Sequence, residues 1–132
     1  MNLDRDRARV ALQEITAMQD GELDKYVSYV KGLPATIMQN GLGQALATLL
    51  AASKGEKRDD HYRLYTQLEE WLCRVNRHSP YHGKNNLMRA ITSGTEEDYI
   101  LAQGEALAYL HWLKKFATAY LSGKGQQQGE TS

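Results

Sequence analysis

The sequence predicts an all-α fold, a bundle of five or six helices, and three observations carry that expectation. Apolar residues recur at intervals of three and four along almost the whole chain, and strand-like alternation is nowhere sustained. Helix stops and starts punctuate the apolar runs, as in Gly32-Leu33-Pro34, Ser79-Pro80 and Ser93-Gly94-Thr95. The 42% apolar and 24% charged shares are those of an ordinary globular chain.

The first helix is expected from Leu3 to Gln19, with Ala8, Ala11, Leu12, Ile15 and Met18 on one face, and Asp20-Gly21 ends it. A short second helix carries Leu23, Tyr26, Val27 and Val30 and stops at Gly32. Pro34 suits the first turn of a third helix, where its missing N–H is not needed. That helix presents Ile37, Met38, Leu42, Ala45, Leu46 and Leu49 as a stripe, with Gly41 and Gly43 inside it. Each interior glycine costs about 1 kcal/mol relative to alanine. The cost must be offset, either by close backbone packing or by a surface that another molecule approaches.

The charged stretch Lys54–Asp60 is a loop, and a fourth helix follows with Tyr62, Tyr65, Leu68, Leu72 and Val75 at helical spacing. Between Arg77 and Asn86, Pro80 and Gly83 mark a second loop. Leu87, Met88 and Ile91 indicate a short fifth helix closed by Ser93-Gly94. Thr95-Glu96-Glu97-Asp98 combines an N-cap hydroxyl with acidic residues in the first turn, where the helix dipole favours them. The last helix then runs on the inner face Tyr99, Ala102, Ala106, Leu110, Leu113, Ala117 and Tyr120, interrupted once by Gly104. From Ser122 onward no apolar residue occurs. The expected organisation is therefore one helical domain over 1–121 and a disordered tail over 122–132.

Sixteen basic residues balance sixteen acidic ones, so net charge names no partner. Cys73 is the only cysteine, which excludes an internal disulfide and a cysteine-based metal cluster. The N-terminus alternates charges without a signal-peptide apolar run, and no apolar stretch reaches the roughly 18 residues of a membrane span. A cytoplasmic protein without a membrane partner is expected.

Candidate catalytic groups each have a plainer explanation. His78 and His82 are four apart, but Pro80 lies between them and no carboxylate or thiol is near enough to complete a metal site. They read as solvated loop histidines. Cys73, between Leu72 and Arg74 in an amphipathic helix, reads as a buried structural thiol. Glu69-Glu70 belong to a solvated helix face, and Glu96-Glu97-Asp98 to helix-start chemistry. NGLGQ at 40–44 lacks the spacing and lysine of a phosphate-binding loop. No catalytic residue, metal site, cofactor or small-molecule substrate is expected, and the chain does not read as an enzyme.

Charge distribution is more informative than net charge. No acidic residue occurs from Trp71 to Thr95, while Arg74, Arg77, Lys84 and Arg89 fall inside, with both loop histidines, Tyr81, Asn76, Asn85 and Asn86. Arginine, lysine and amide side chains are the mixture that contacts phosphate backbones. The opposing reading is four solvated cations with no shared direction. Lys114 and Lys115 on the last helix, and Arg5, Arg7 and Arg9 on the first, add to the same surface or simply solubilise it. Eight tyrosines and two tryptophans stand against one phenylalanine, a balance suited to partner surfaces. Tyr26, Tyr62, Tyr65 and Tyr99 sit at core spacing. Tyr29, Tyr81 and Tyr109 fall off the main stripes and are the interface candidates.

Segment 31–50 also carries a resemblance. Lys31, Gly32, Leu33, Pro34 and Ile37, then Asn40-Gly41-Leu42-Gly43-Gln44 and a Leu/Ala-rich helix, resemble the small subunit of the type III-B (Cmr) CRISPR effector complex. Ala108, Leu110, Trp112, Leu113-Lys114-Lys115, Phe116 and Ala117 resemble that family's final helix, so the likeness covers roughly residues 8–121. The resemblance implies a small α-helical subunit without a catalytic site of its own. Its implied partners are the large and backbone subunits, further copies of itself stacked head to tail in a minor filament, and the guide and target RNA backbone. A heterologous contact of that kind leaves a filament open. Within the motif, Lys31, Leu33, Pro34, Asn40, Gly41, Leu42 and Gln44 are expected in structural or interface roles. Arg74, Arg77, Lys84, Arg89, Lys114 and Lys115 are the expected RNA-binding set, on charge alone. The alternative is a helical protein-interaction adaptor that touches no nucleic acid.

Overall fold

The computed structural model describes residues 2–18 and 23–121, and the expected Asp20-Gly21 stop and the tail over 122–132 lie outside them. Six α-helices form a bundle, and among the described residues there is no strand. They are α1 (Leu3–Thr16), α2 (Asp24–Asn40), α3 (Leu42–Ser53), α4 (Asp60–Glu69), α5 (Leu87–Ser93) and α6 (Glu96–Tyr120), with a π-helical turn, Glu70–Val75, extending α4. The long α6 is the central post, packed by α1 and α2 and touched by the π turn. Its inner side is small as well as apolar. Ala102, Ala106 and Ala117 are fully buried beside Leu110 and Leu113, which lets neighbouring helices approach closely.

Helix starts follow local chemistry. Asn2 accepts from the N–H groups of Asp4 and Arg5, Asp59 from that of His61, Asn86 from that of Arg89, and Thr95 from that of Asp98. α5 and α6 thus begin where the sequence indicates. α1 ends at Thr16 rather than Gln19, and Leu12 is 36% exposed while Ala11, Ile15 and Met18 are buried.

The expected break between a second and a third helix at Gly32-Pro34 is not there. α2 runs through both residues to Asn40, with Pro34 in its interior. Pro34 costs the helix one hydrogen bond. The apolar spacing explains the continuity, because Tyr26, Val30, Leu33 and Ile37 keep intervals of four, three and four across the proline, and all are buried. That burial, at roughly 1.5–3 kcal/mol per large apolar side chain, outweighs the local penalty.

The break comes instead at Gly41, with φ +89° and ψ 158°, a region open essentially to glycine alone. Ile37 therefore belongs to α2 and Leu42 to α3, and Met38, expected in the stripe, is 71% exposed. α3 begins without a side-chain cap of its own. Gln103 Oε1 accepts from Leu42 N–H at 2.9 Å and Tyr99 Oη accepts from Gly43 N–H at 2.9 Å, so α6 caps α3. A Cβ at Gly41 would sit 2.8 Å from Tyr99 Oη, whereas one at Gly43 meets nothing nearer than Ile91 at 3.4 Å. Close internal packing thus accounts for Gly41.

Two polar clusters tie the helices together, one of them to the post. Arg7 holds Glu105 through its Nε and Nη2, at 2.7 and 2.8 Å, and Trp71 Nε1 donates to the same carboxylate at 2.9 Å. Tyr26 Oη donates to Gln67 Oε1 inside the core. Two interface candidates are core residues: Tyr109 is fully buried, stacked on Trp71 with centroids 5.0 Å apart, and Tyr81 is 1% exposed. Tyr29 is half-buried and stacks on His61. Tyr120 and Val75, expected inside, are 53% and 40% exposed, although Leu121 and Leu72 close by in the chain are buried.

Candidate nucleic-acid interface

The acid-free segment begins inside the π turn. Asn76 N–H donates to Trp71 O, five residues back, at 2.9 Å. The loop after it folds back on the turn, with Gly83 N–H donating to Cys73 O at 2.7 Å. Gly83 has φ +90°, which permits that reversal. The bond satisfies a carbonyl at the end of the helix and draws Tyr81 into the core, a contact that helical spacing has no means of showing.

Glu69 anchors the far side. Its carboxylate accepts from Tyr65 Oη at 3.1 Å, from Leu87 N–H at 3.0 Å and from Arg74 at 3.1 Å. One carboxylate thereby joins α4, the start of α5 and the π turn. Arg74 also meets Glu70 at 3.3 Å, so its charge is compensated within the chain.

The other expected cations differ. Arg77, Lys84, Arg89 and Lys115 are exposed, Lys114 is half-exposed, and none forms an ion pair among the described residues. On α1 the pattern splits. Arg7 is committed to Glu105 and Asp4, Arg9 pairs with Asp6 at 2.8 Å, and Arg5 is exposed. Trp112 Nε1 donates to Asp4 at 3.0 Å, which sets the part of α6 bearing Lys114 and Lys115 against the start of α1.

A cleft of about 200 Å³ opens where α1 meets the π turn. Leu3, Asp6 and Arg9 form one side. Trp71, Val75, Asn76, Arg77 and His78 form the other. Asn76 is 3% exposed; its Oδ1 accepts from His78 N–H at 2.9 Å, and its Nδ2 is buried without a partner among the described residues. Asn76 stands among the cations and Arg9 on the first helix, and nothing in local spacing joins positions nearly seventy residues apart.

The candidate catalytic groups do not assemble among the described residues. His78 and His82 are exposed, and among the described residues no three His, Cys, Asp or Glu side chains are placed to share a metal ion. Burial, with Glu69 nearby, pushes the Cys73 thiol up to about 11, so it stays protonated at neutral pH. Among the described residues, no helix is long and apolar enough to cross a membrane.

The motif residues separate by role. Leu33 and Leu42 are core, Gly41 is the α2–α3 hinge, Pro34 is half-buried, and Lys31, Asn40 and Gln44 are exposed. A family model for CRISPR-associated proteins (Cas_Cmr5) matches residues 3–120, which spans every helix described above. The chain therefore belongs to the Cmr5 family, the small subunits of the type III-B (Cmr) complex of CRISPR defence.

Proposed function

We propose that the chain is a non-catalytic subunit of the cytoplasmic Cmr ribonucleoprotein, and that it touches the guide and target RNA backbone while stacking on its own copies and on the large and backbone subunits. The observation that carries the RNA contact is the set of cations without ion-pair partners among the described residues: exposed Arg77, Lys84, Arg89 and Lys115, and half-exposed Lys114. A side chain already held in an ion pair must lose that partner to reach a phosphate, whereas these five need not. Arg74 ranks below them because Glu69 and Glu70 already balance it. Family membership supports the complex, and the commitment of both Glu69 and Glu105 to structural hydrogen bonds agrees with a binding rather than a catalytic role.

The test is target-RNA binding by the assembled complex over a range of salt. Each phosphate contact removed lowers the slope of log K against log salt by about 0.7 for a single strand. Replacing Arg77, Lys84 and Arg89 by alanine should flatten the slope by about 2 for every copy in the complex if each side chain contacts one phosphate. An unchanged slope and affinity, with the complex intact, would leave the chain as a protein-interaction adaptor.

A further inference from the structure

The helix glycines differ in what surrounds them. Gly41 is accounted for by the close approach of Tyr99, but a Cβ at Gly104, inside the 25-residue α6, would meet nothing within 4 Å. Glycine there weakens the helix relative to alanine, and no contact inside the chain offsets that loss. Gly32 of α2 is equally open, but the groove beside it, with Ser28 and Thr36, has no exposed large apolar side chain. Beside Gly104 there are two. Ile100 is 62% exposed and Leu101 59%, and both lie one turn before it.

These residues belong to a longer seam. Glu97, Leu101, Gly104, Ala108, His111 and Lys115 follow one another at intervals of four, three, four, three and four, the spacing of a coiled coil. All are exposed except half-buried Ala108, and they lie opposite the buried face of Ala102, Ala106, Leu110, Leu113 and Ala117. Glu97 and Lys115, at its two ends, form no ion pair among the described residues. The seam complements itself when reversed. About a two-fold axis midway between Gly104 and Ala108, Glu97 faces Lys115 of a second copy, Leu101 faces His111, and Gly104 faces Ala108. A parallel pairing would set Glu97 on Glu97 and Lys115 on Lys115, and a shift of one heptad would leave both charges without partners. The small residues at the centre let the two backbones approach, so that Ile100 and Leu101 of each copy reach the other.

We infer that two copies of this chain pair through α6, antiparallel, along the seam from Glu97 to Lys115. This goes beyond the stacking proposed above, which needs an open, heterologous joint, whereas a two-fold contact closes at two copies. The seam is about 27 Å long, which places the contact at the small end of specific interfaces and makes the dimer a weak one. Pairing also occupies Lys115, so the dimer and an RNA contact at that residue exclude each other.

Sedimentation equilibrium of the full chain, from about 1 μM to about 1 mM, provides the test. A monomer–dimer equilibrium is expected, and Gly104→Leu should raise its dissociation constant at least about tenfold, because the added side chain holds the helices apart. That variant should melt no earlier than wild type, since the position is open in the monomer and helix propensity improves. Glu97→Lys should weaken pairing about fivefold, and Lys115→Glu in the same chain should restore it. Orientation is read by mixing the Leu101→Cys and His111→Cys variants under an oxidant. The expected disulfide joins one variant to the other, because like positions lie about 15 Å apart and cannot be bridged. Buried Cys73 takes no part. A chain that stays monomeric up to about 1 mM would overturn the inference. So would a dimer indifferent to Gly104→Leu, or one whose Leu101→Cys copies link to each other. Assembly that grows past two copies and ignores Gly104→Leu would overturn it too, and would leave the stacking reading standing.

Discussion

Replacing Gly41 by alanine should cost about 3 kcal/mol, and its neighbour Gly43 supplies the control. Gly41 holds φ +89° and ψ 158°, where a residue with a Cβ pays roughly 1–3 kcal/mol in backbone strain. The added Cβ would also stand 2.8 Å from Tyr99 Oη and push that hydroxyl away. The same hydroxyl accepts from Gly43 N–H, so the start of α3 would lose a hydrogen bond worth about 1 kcal/mol. At this chain length about 3 kcal/mol corresponds to a fall in Tm of roughly 12 °C. Gly43→Ala meets only ordinary contacts, at 3.4 Å to Ile91 and 3.6 Å to Tyr99, and gains up to about 1 kcal/mol of helix propensity. Urea denaturation followed by circular dichroism measures both variants. A cycle with Tyr99→Phe separates the two costs: the steric part should vanish in that background and the backbone strain should persist. If Gly41→Ala costs less than about 0.5 kcal/mol, or no more than Gly43→Ala, the account of the α2–α3 joint is wrong.

Two further outcomes follow from buried titratable groups. Burial, with Glu70 nearby, holds the Glu14 carboxyl above its usual 4.5, so the folded state binds that proton more tightly than the unfolded chain. This group's contribution is therefore most favourable below 4.5 and declines as pH rises through the raised value; Glu14→Gln should gain stability relative to wild type between about pH 4 and about pH 7, and a gain equal at both would contradict the shift. Cys73, fully buried and pushed up to about 11, should react with a disulfide reagent at neutral pH at least about 100-fold more slowly in the folded protein than in denaturant, and similar rates would show an accessible thiol.

Legibility varied with the range of the interaction that decides each feature. The start of α6 is written in four consecutive residues, Thr95 to Asp98, and the hydroxyl does cap the Asp98 N–H. Gly32 and Pro34 are equally local signals, yet they mislead, because they were set against a buried face extending from Tyr26 to Ile37. Tyr81 and Tyr109 misled for the opposite reason. Their positions fall off the periodic stripe, and a loop reversal and a second packing face of α6 buried them anyway.

Sequence by itself determined the all-α class, because helical periodicity and caps depend on residues three and four apart. It determined family membership too, through the stretch around Asn40 to Gln44 and the final helix. It also revealed the acid-free segment, since charge order is a property of the chain. Only tertiary structure decided which of those charges are spent. Arg74 and Arg7 are compensated by Glu69 and Glu105, while Arg77, Lys84, Arg89 and Lys115 remain exposed and unpaired among the described residues. Tertiary structure alone also decided that Asn76 and Arg9 share one cleft, and that α6 caps α3. Those pairings join residues far apart in the chain, and they follow from how helices pack, which no local spacing encodes.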